Sequence, residues 1–247
     1  TECQVPESGK WYEYDKVGEA YIYGKGTNSD MHEAIKWYEK AANCADDGNA
    51  RSTCIELARL YWQGYGIPQD LVKSLEYWKK STEYRVPESD KGGEYRVVGD
   101  AYQYGEGTKK DINEAIKWYE KAANCGNRWD ARSSCAELAF LYEEGDGVGK
   151  NWGKALEWYD KAVEFGDGFS ALHVGSKFAN GQGVKKDYKT ALSWYRRGAV
   201  KGNPECQNNL AVMYDFGEGV PKNAQEAVRW YQKAAEKGNE KAQYNLG

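Results

Sequence analysis

A Gly-x-Gly triplet occurs six times in this chain, at Gly24/Gly26, Gly64/Gly66, Gly105/Gly107, Gly145/Gly147, Gly181/Gly183 and Gly217/Gly219, in steps of 40, 41, 40, 36 and 36 residues. Thirteen residues after each first glycine stands an aromatic pair: Trp37-Tyr38, Tyr77-Trp78, Trp118-Tyr119, Trp158-Tyr159, Trp194-Tyr195 and Trp230-Tyr231. A spacing that never varies inside the unit, with length changes confined to one stretch outside it, marks a stacked repeat. That stretch lies between one aromatic pair and the next glycine, and it is the joint between units.

The second half of each unit reads as a helix with a definite start. Four residues after the second glycine comes Asp30, Asp70, Asp111, Asn151, Asp187 or Asn223, a side chain able to accept from the otherwise unpaired first-turn N–H groups. Small residues follow at Ala34, Ser74, Ala115, Ala155, Ala191 and Ala227, and again at Ala41, Ser81, Ala122, Ala162, Gly198 and Ala234, on the helical face that carries the aromatic pair. They let a neighbouring helix approach closely while the aromatic fills the space between. The first half carries Leu57/Tyr61, Val98/Tyr102, Leu138/Tyr142, Val174/Phe178 and Leu210/Tyr214 at i, i+4 and stops at glycine, the pattern of a helix with a glycine C-cap.

The fold class expected is all-α: an α/α solenoid superhelix of six helical hairpins, over residues 11–43, 51–84, 92–124, 132–165, 168–201 and 204–237, with a partial seventh at 240–247. The whole of 1–247 is read as one array, stabilised by nearest-neighbour stacking. Residues 34–44 are closely echoed at 115–125, and Thr1-Glu2-Cys3-Gln4-Val5-Pro6-Glu7-Ser8 at residues 82–89, both with an offset of 81 residues, which points to tandem duplication of two units. The chain starts in a joint and ends in the opening of another first helix, so a longer array is expected. A formal net charge of −4 gives no basic footprint for nucleic acid, and no apolar run approaches the roughly 20 residues of a membrane helix.

The combination of Leu-x-x-x-Tyr, Gly-x-Gly, an Asp/Asn cap, alanine, Trp-Tyr, Lys-Ala-Ala and glycine, clearest from Gly217 to Gly238, resembles the Sel-1-like repeat, a relative of the tetratricopeptide repeat. The resemblance covers roughly residues 11 to 247. It implies a superhelical adaptor that works in signalling, secretion or virulence, without catalysis and without a cofactor. Two features depart from the family pattern: the inverted pair Tyr77-Trp78, expected to cost only a packing rearrangement, and joints longer than the common 36-residue period.

Six cysteines stand at 3, 44, 54, 125, 135 and 206, and the pairs Cys44/Cys54 and Cys125/Cys135 share a spacing of 10 across a long joint. The third long joint has Tyr84 and Tyr95 at the equivalent positions. Two disulfides across adjacent helix ends are expected, with two pairs of buried thiols as the alternative. Disulfides would place the protein in an oxidising compartment, periplasmic or secreted, with the ER lumen as alternative. The lack of an Asn-x-Ser/Thr sequon favours a bacterial source. Cys206 falls in a small-residue slot and reads as a buried thiol; Cys3 is unpaired or pairs outside the chain.

Catalytic and metal patterns do not assemble. His32-Glu33-Ala34-Ile35-Lys36 puts lysine where a zinc protease needs its second histidine, Ser-x-x-Lys is absent, and Gly168-Phe169-Ser170-Ala171-Leu172 lacks the last glycine of a nucleophile elbow. Of 35 aromatic residues, 17 fall outside the recurring positions. On the first helices, the face opposite Leu57 and Tyr61 runs Ser52, Glu56, Arg59 and Gln63 and is expected to line the concave side. The candidate partner-binding surface there comprises Lys16, Glu19, Tyr23, Val97, Asp100, Tyr104, Phe140, His173, Asn209, Val212 and Phe216, with packing between units as the competing role for its aromatics. The function expected is a scaffold that binds another protein. One alternative is an immunity protein that neutralises a secreted toxin such as a lipase effector. A second, from another class, is an enzyme acting on cell-wall or β-lactam substrates.

Overall fold

The computed structural model describes residues 11–43 and 47–246. Cys3 and Cys44 lie outside these, and with them the expected Cys44–Cys54 pair. Among the described residues there are thirteen α-helices and no strand. They run as hairpins: α1 (Trp11–Tyr23) with α2 (Met31–Ala42), α3 (Asp47–Gln63) with α4 (Leu71–Glu83), α5 (Gly92–Tyr104) with α6 (Ile112–Asn124), α7 (Arg128–Glu144) with α8 (Trp152–Glu164), α9 (Gly168–Asn180) with α10 (Tyr188–Val200), and α11 (Pro204–Phe216) with α12 (Ala224–Glu236), followed by α13 (Glu240–Leu246). The helices gather into two bodies, residues 1–130 and 131–247, divided inside α7.

Local chemistry explains the start of every second helix. The side chains of Asp30, Asp70, Asp111, Asn151, Asp187 and Asn223 each accept from one or two backbone N–H groups of the first turn, at 2.9–3.3 Å. Each such cap stabilises its helix by about 1 kcal/mol. The first helices stop where expected, at glycines in the left-handed region such as Gly105, whose φ is 78° and whose N–H donates to the Ala101 carbonyl. The second glycine of the third triplet has a further reason: a Cβ on Gly107 would lie 2.0 Å from the Leu71 carbonyl oxygen. Only glycine lets that loop rest against the start of the preceding second helix.

The cores form at the small-residue positions. Ala34, Ser74, Ala115, Ala155, Ala191 and Ala227 are buried, and so are Leu57, Val98, Leu138, Val174 and Leu210 of the first helices. The second aromatic of the pair lies over the first helix of its own hairpin. A Cβ on Gly18, Gly99 or Gly175 would come within 2.7 Å of the ring of Tyr38, Tyr119 or Tyr195. The first aromatic stays half-buried, with the cation one turn on above its ring: Lys40 over Trp37 at 4.0 Å, Lys121 over Trp118 at 3.9 Å and Lys161 over Trp158 at 4.0 Å. Within the first body, Arg51 of α3 pairs with Glu94 of α5 and joins successive hairpins.

Candidate partner-binding groove

In the first body an apolar groove of about 280 Å³ opens between α3, α4 and α5. Its walls are Trp62, Leu71, Leu75, Trp78, Val97 and Ala101, with Ser74 beside them and Arg59, Asp100 and Glu106 among its lining. At one of these walls the hairpin α3–α4 departs from the pattern of the others. At the second aromatic position Tyr38, Tyr119, Tyr159, Tyr195 and Tyr231 are at most 4% exposed. Trp78 is only half-buried and forms a wall.

The inverted pair changes both partners. Tyr77 stacks on Tyr61 with ring centroids 5.9 Å apart, and the hydroxyls of both donate to Glu39 Oε1 at 3.2 Å. Trp78 has no phenol to offer the first helix, whereas Tyr119 donates to Asp100 Oδ1 at 2.7 Å and Gln103 Oε1 at 2.6 Å, sharing one proton between two acceptors. Its bicyclic ring packs against Leu75 of its own helix and Val98 and Ala101 of α5. From sequence the inversion is expected to cost only a packing rearrangement, and Trp78 does pack differently, beside the groove.

Charge is set unevenly around the rim. Burial pushes the Asp100 carboxyl above its ordinary value, against the opposing hydrogen bond from Tyr119 and the charge of Arg96. Both Asp100 oxygens are occupied, Oδ1 by Tyr119 and Oδ2 by Arg96 at 2.9 Å. Arg59 sits 3.8 Å from Glu56, a loose contact between two exposed groups. The Glu106 side chain is exposed, with no hydrogen bond or ion pair among the described residues.

Of the candidate surface read from sequence, Val97 and Asp100 line this groove. Tyr104 follows one turn later on α5, 63% exposed, and Tyr23 at the end of α1 is 68% exposed. Lys16 and Glu19 pair with each other at 2.9 Å. In the second body Phe216 is 71% and Phe140 49% exposed. Val212 packs against the cluster of Ala211, Ala227 and Tyr231. Asn209 accepts from Asn208 at 3.3 Å on a separate, polar depression with Leu172 and Ser176. His173 donates or accepts at Glu143 Oε2, 2.8 Å away, a carboxylate that also takes Tyr159 at 2.7 Å and Lys177. Burial raises the Glu143 pKa, but these hydrogen bonds outweigh it and hold the carboxyl below its usual value.

The sequence reading missed Trp62, Leu71, Leu75 and Trp78. It placed the outward position of α3 at Gln63, one residue past Trp62. The available signal was the coincidence of a surplus tryptophan just before Gly64 with the one inverted pair.

Cys54, Cys125, Cys135 and Cys206 stand as free, buried thiols, the alternative that the sequence left open beside the disulfides. Each sulfur is used inside its own body. Cys125 packs with Tyr95 and Ala122, so near Gly92 of α5 that a Cβ there would lie 2.7 Å from Sγ. Cys135 is buried in α7, where the nearest charges are Lys161 and Glu164 of α8, and burial pushes its pKa up to about 12. Cys54 lies 3.7 Å from the Tyr84 hydroxyl. Cys206 fits its small-residue slot as expected, with burial raising its pKa to about 12.

Among the described residues no three His, Cys, Asp or Glu side chains gather as a metal site, and no helix is long and apolar enough to cross a membrane. A Sel1 repeat protein from Oxalobacter formigenes is 28% identical over 96% of this chain and 88% of its own, with a TM-score of 0.58. A protective antigen of uropathogenic Escherichia coli that displays this repeat fold is 30% identical over 96% of this chain, with a TM-score of 0.66. The present chain spans about half the length of that antigen, 48%. Six segments match the Sel1 repeat, residues 15–46, 52–83, 96–127, 132–167, 170–203 and 204–239, and the chain belongs to the Sel1 repeat family.

Proposed function

We propose that this protein is a non-catalytic scaffold that binds another protein along its first-helix face, with the groove between α3, α4 and α5 as the anchoring point. The observation that carries the reading is the tryptophan-walled groove itself, with exposed Trp62 in its wall and exposed Tyr104 one turn beyond Asp100 on α5. Tryptophan and tyrosine presented to solvent beside an apolar pocket are the side chains that dominate binding energy at protein interfaces. Membership of a repeat family built for interaction agrees with it. A secreted toxin is one partner such a groove could hold, which would make the protein an immunity factor. A photo-crosslinking amino acid placed at Arg59 or Tyr104 should trap a discrete protein adduct in the native extract, and one at Val200 or Val228 should not. Equal trapping from all four positions would refute the assignment of the face.

A further inference from the structure

The walls and rim of the groove specify what enters it. Six of its ten lining residues are apolar side chains, and two of those are indoles. At about 280 Å³ the cavity is at the lower edge of the size typical for small-molecule sites, enough for one or two side chains of a partner. Sugars and nucleotides need many polar contacts, and the walls supply almost none. The rim decides the charge. Counted with their neighbours, Arg59 offsets Glu56 and Arg96 offsets Asp100, which leaves the Glu106 carboxylate as the net charge of the rim. An apolar side chain entering between Trp62 and Trp78 therefore brings its chain neighbours past a free negative charge, where a cation gains and an anion is repelled.

We infer that the groove takes a protein segment in which a large apolar side chain, aromatic or leucine, stands within two or three residues of a lysine or arginine. This rests on the protein-binding reading and adds the chemistry of the partner to it.

The test titrates two tetrapeptides, acetyl-Lys-Leu-Phe-Lys-amide and acetyl-Glu-Leu-Phe-Glu-amide, into the full chain and follows the indole N–H resonances of Trp62 and Trp78 by NMR, assigned with Trp62→Phe and Trp78→Phe. The basic peptide should shift both indoles and bind at least tenfold more tightly than the acidic one, and Glu106→Gln should reduce that preference to threefold or less. Equal binding of the two peptides, preference for the acidic one, a preference that survives Glu106→Gln, or no shift at millimolar peptide would each overturn the inference. If a protein is still trapped at Arg59 and Tyr104 in those cases, only the partner's chemistry is refuted. If nothing is trapped there either, the scaffold reading falls with it.

Discussion

The hairpins α3–α4 and α5–α6 are built to the same plan and end differently at one position. In α5–α6 the second aromatic is Tyr119, fully buried over Gly99, its hydroxyl shared between Asp100 and Gln103. In α3–α4 the same position is Trp78, half-buried at the wall of a cavity. The difference teaches that the repeat tolerates a unit whose lock is missing, because caps, glycine stops and small-residue contacts still define the hairpin. The residue released from the lock becomes available to a partner.

That contrast should appear first in stability. Tyr119→Ala removes a fully buried ring and strands Asp100 and Gln103, and should cost about 3–5 kcal/mol. Trp78→Ala deletes a larger side chain that already faces a cavity, and should cost less than half as much. Urea unfolding followed by circular dichroism compares them; similar losses would mean that Trp78 is as much core as Tyr119.

A smaller effect separates Tyr119 from Tyr159. The acceptor for Tyr119 includes neutral Gln103, while Tyr159 donates to the ionised Glu143 at the equivalent position. Because the folded pKa of Glu143 lies below its ordinary carboxylate value of 4.5, its charged form stabilises the fold. That contribution is complete above pH about 4.5 and disappears as pH falls through the lowered folded value. Asp100 has the opposite sign: its folded pKa is raised above 3.8, so acid does not remove stability through that group. Glu143→Gln should cost about 1–3 kcal/mol at pH 7, since Lys177 and His173 lose their carboxylate, and should flatten the acid limb of the stability profile. An unchanged acid limb in this variant would show that Glu143 does not carry the pH dependence.

What could be read from sequence was what local chemistry fixes. The six caps and the glycine stops each depend on residues within four or five positions, so Asp111 and Gly105 announce themselves. The small-residue positions followed from helical periodicity. The groove was not legible, because it depends on how far Trp78 buries among Leu75 of its own helix and Val98 and Ala101 of α5. The surroundings of the thiols were hidden for a related reason. A spacing of 10 speaks only of neighbours along the chain, whereas Cys54 meets Tyr84 and Cys125 meets Tyr95 across the hairpin. The hint was present in Tyr84 and Tyr95, which occupy the cysteine positions of the third long joint. The outward aromatics Tyr104 and Phe216 were found from the repeat register, yet Trp62 escaped because it sits one residue off that register.

The central claim is that the inverted pair opens the groove that holds the partner. Restoring the common order with Tyr77→Trp and Trp78→Tyr together tests it, read as the yield of protein adduct from the crosslinker at Tyr104 in a variant whose helical circular dichroism is unchanged. The account predicts that burial of the restored tyrosine closes the groove and lowers the yield at least tenfold. An undiminished yield from the folded double variant would contradict it.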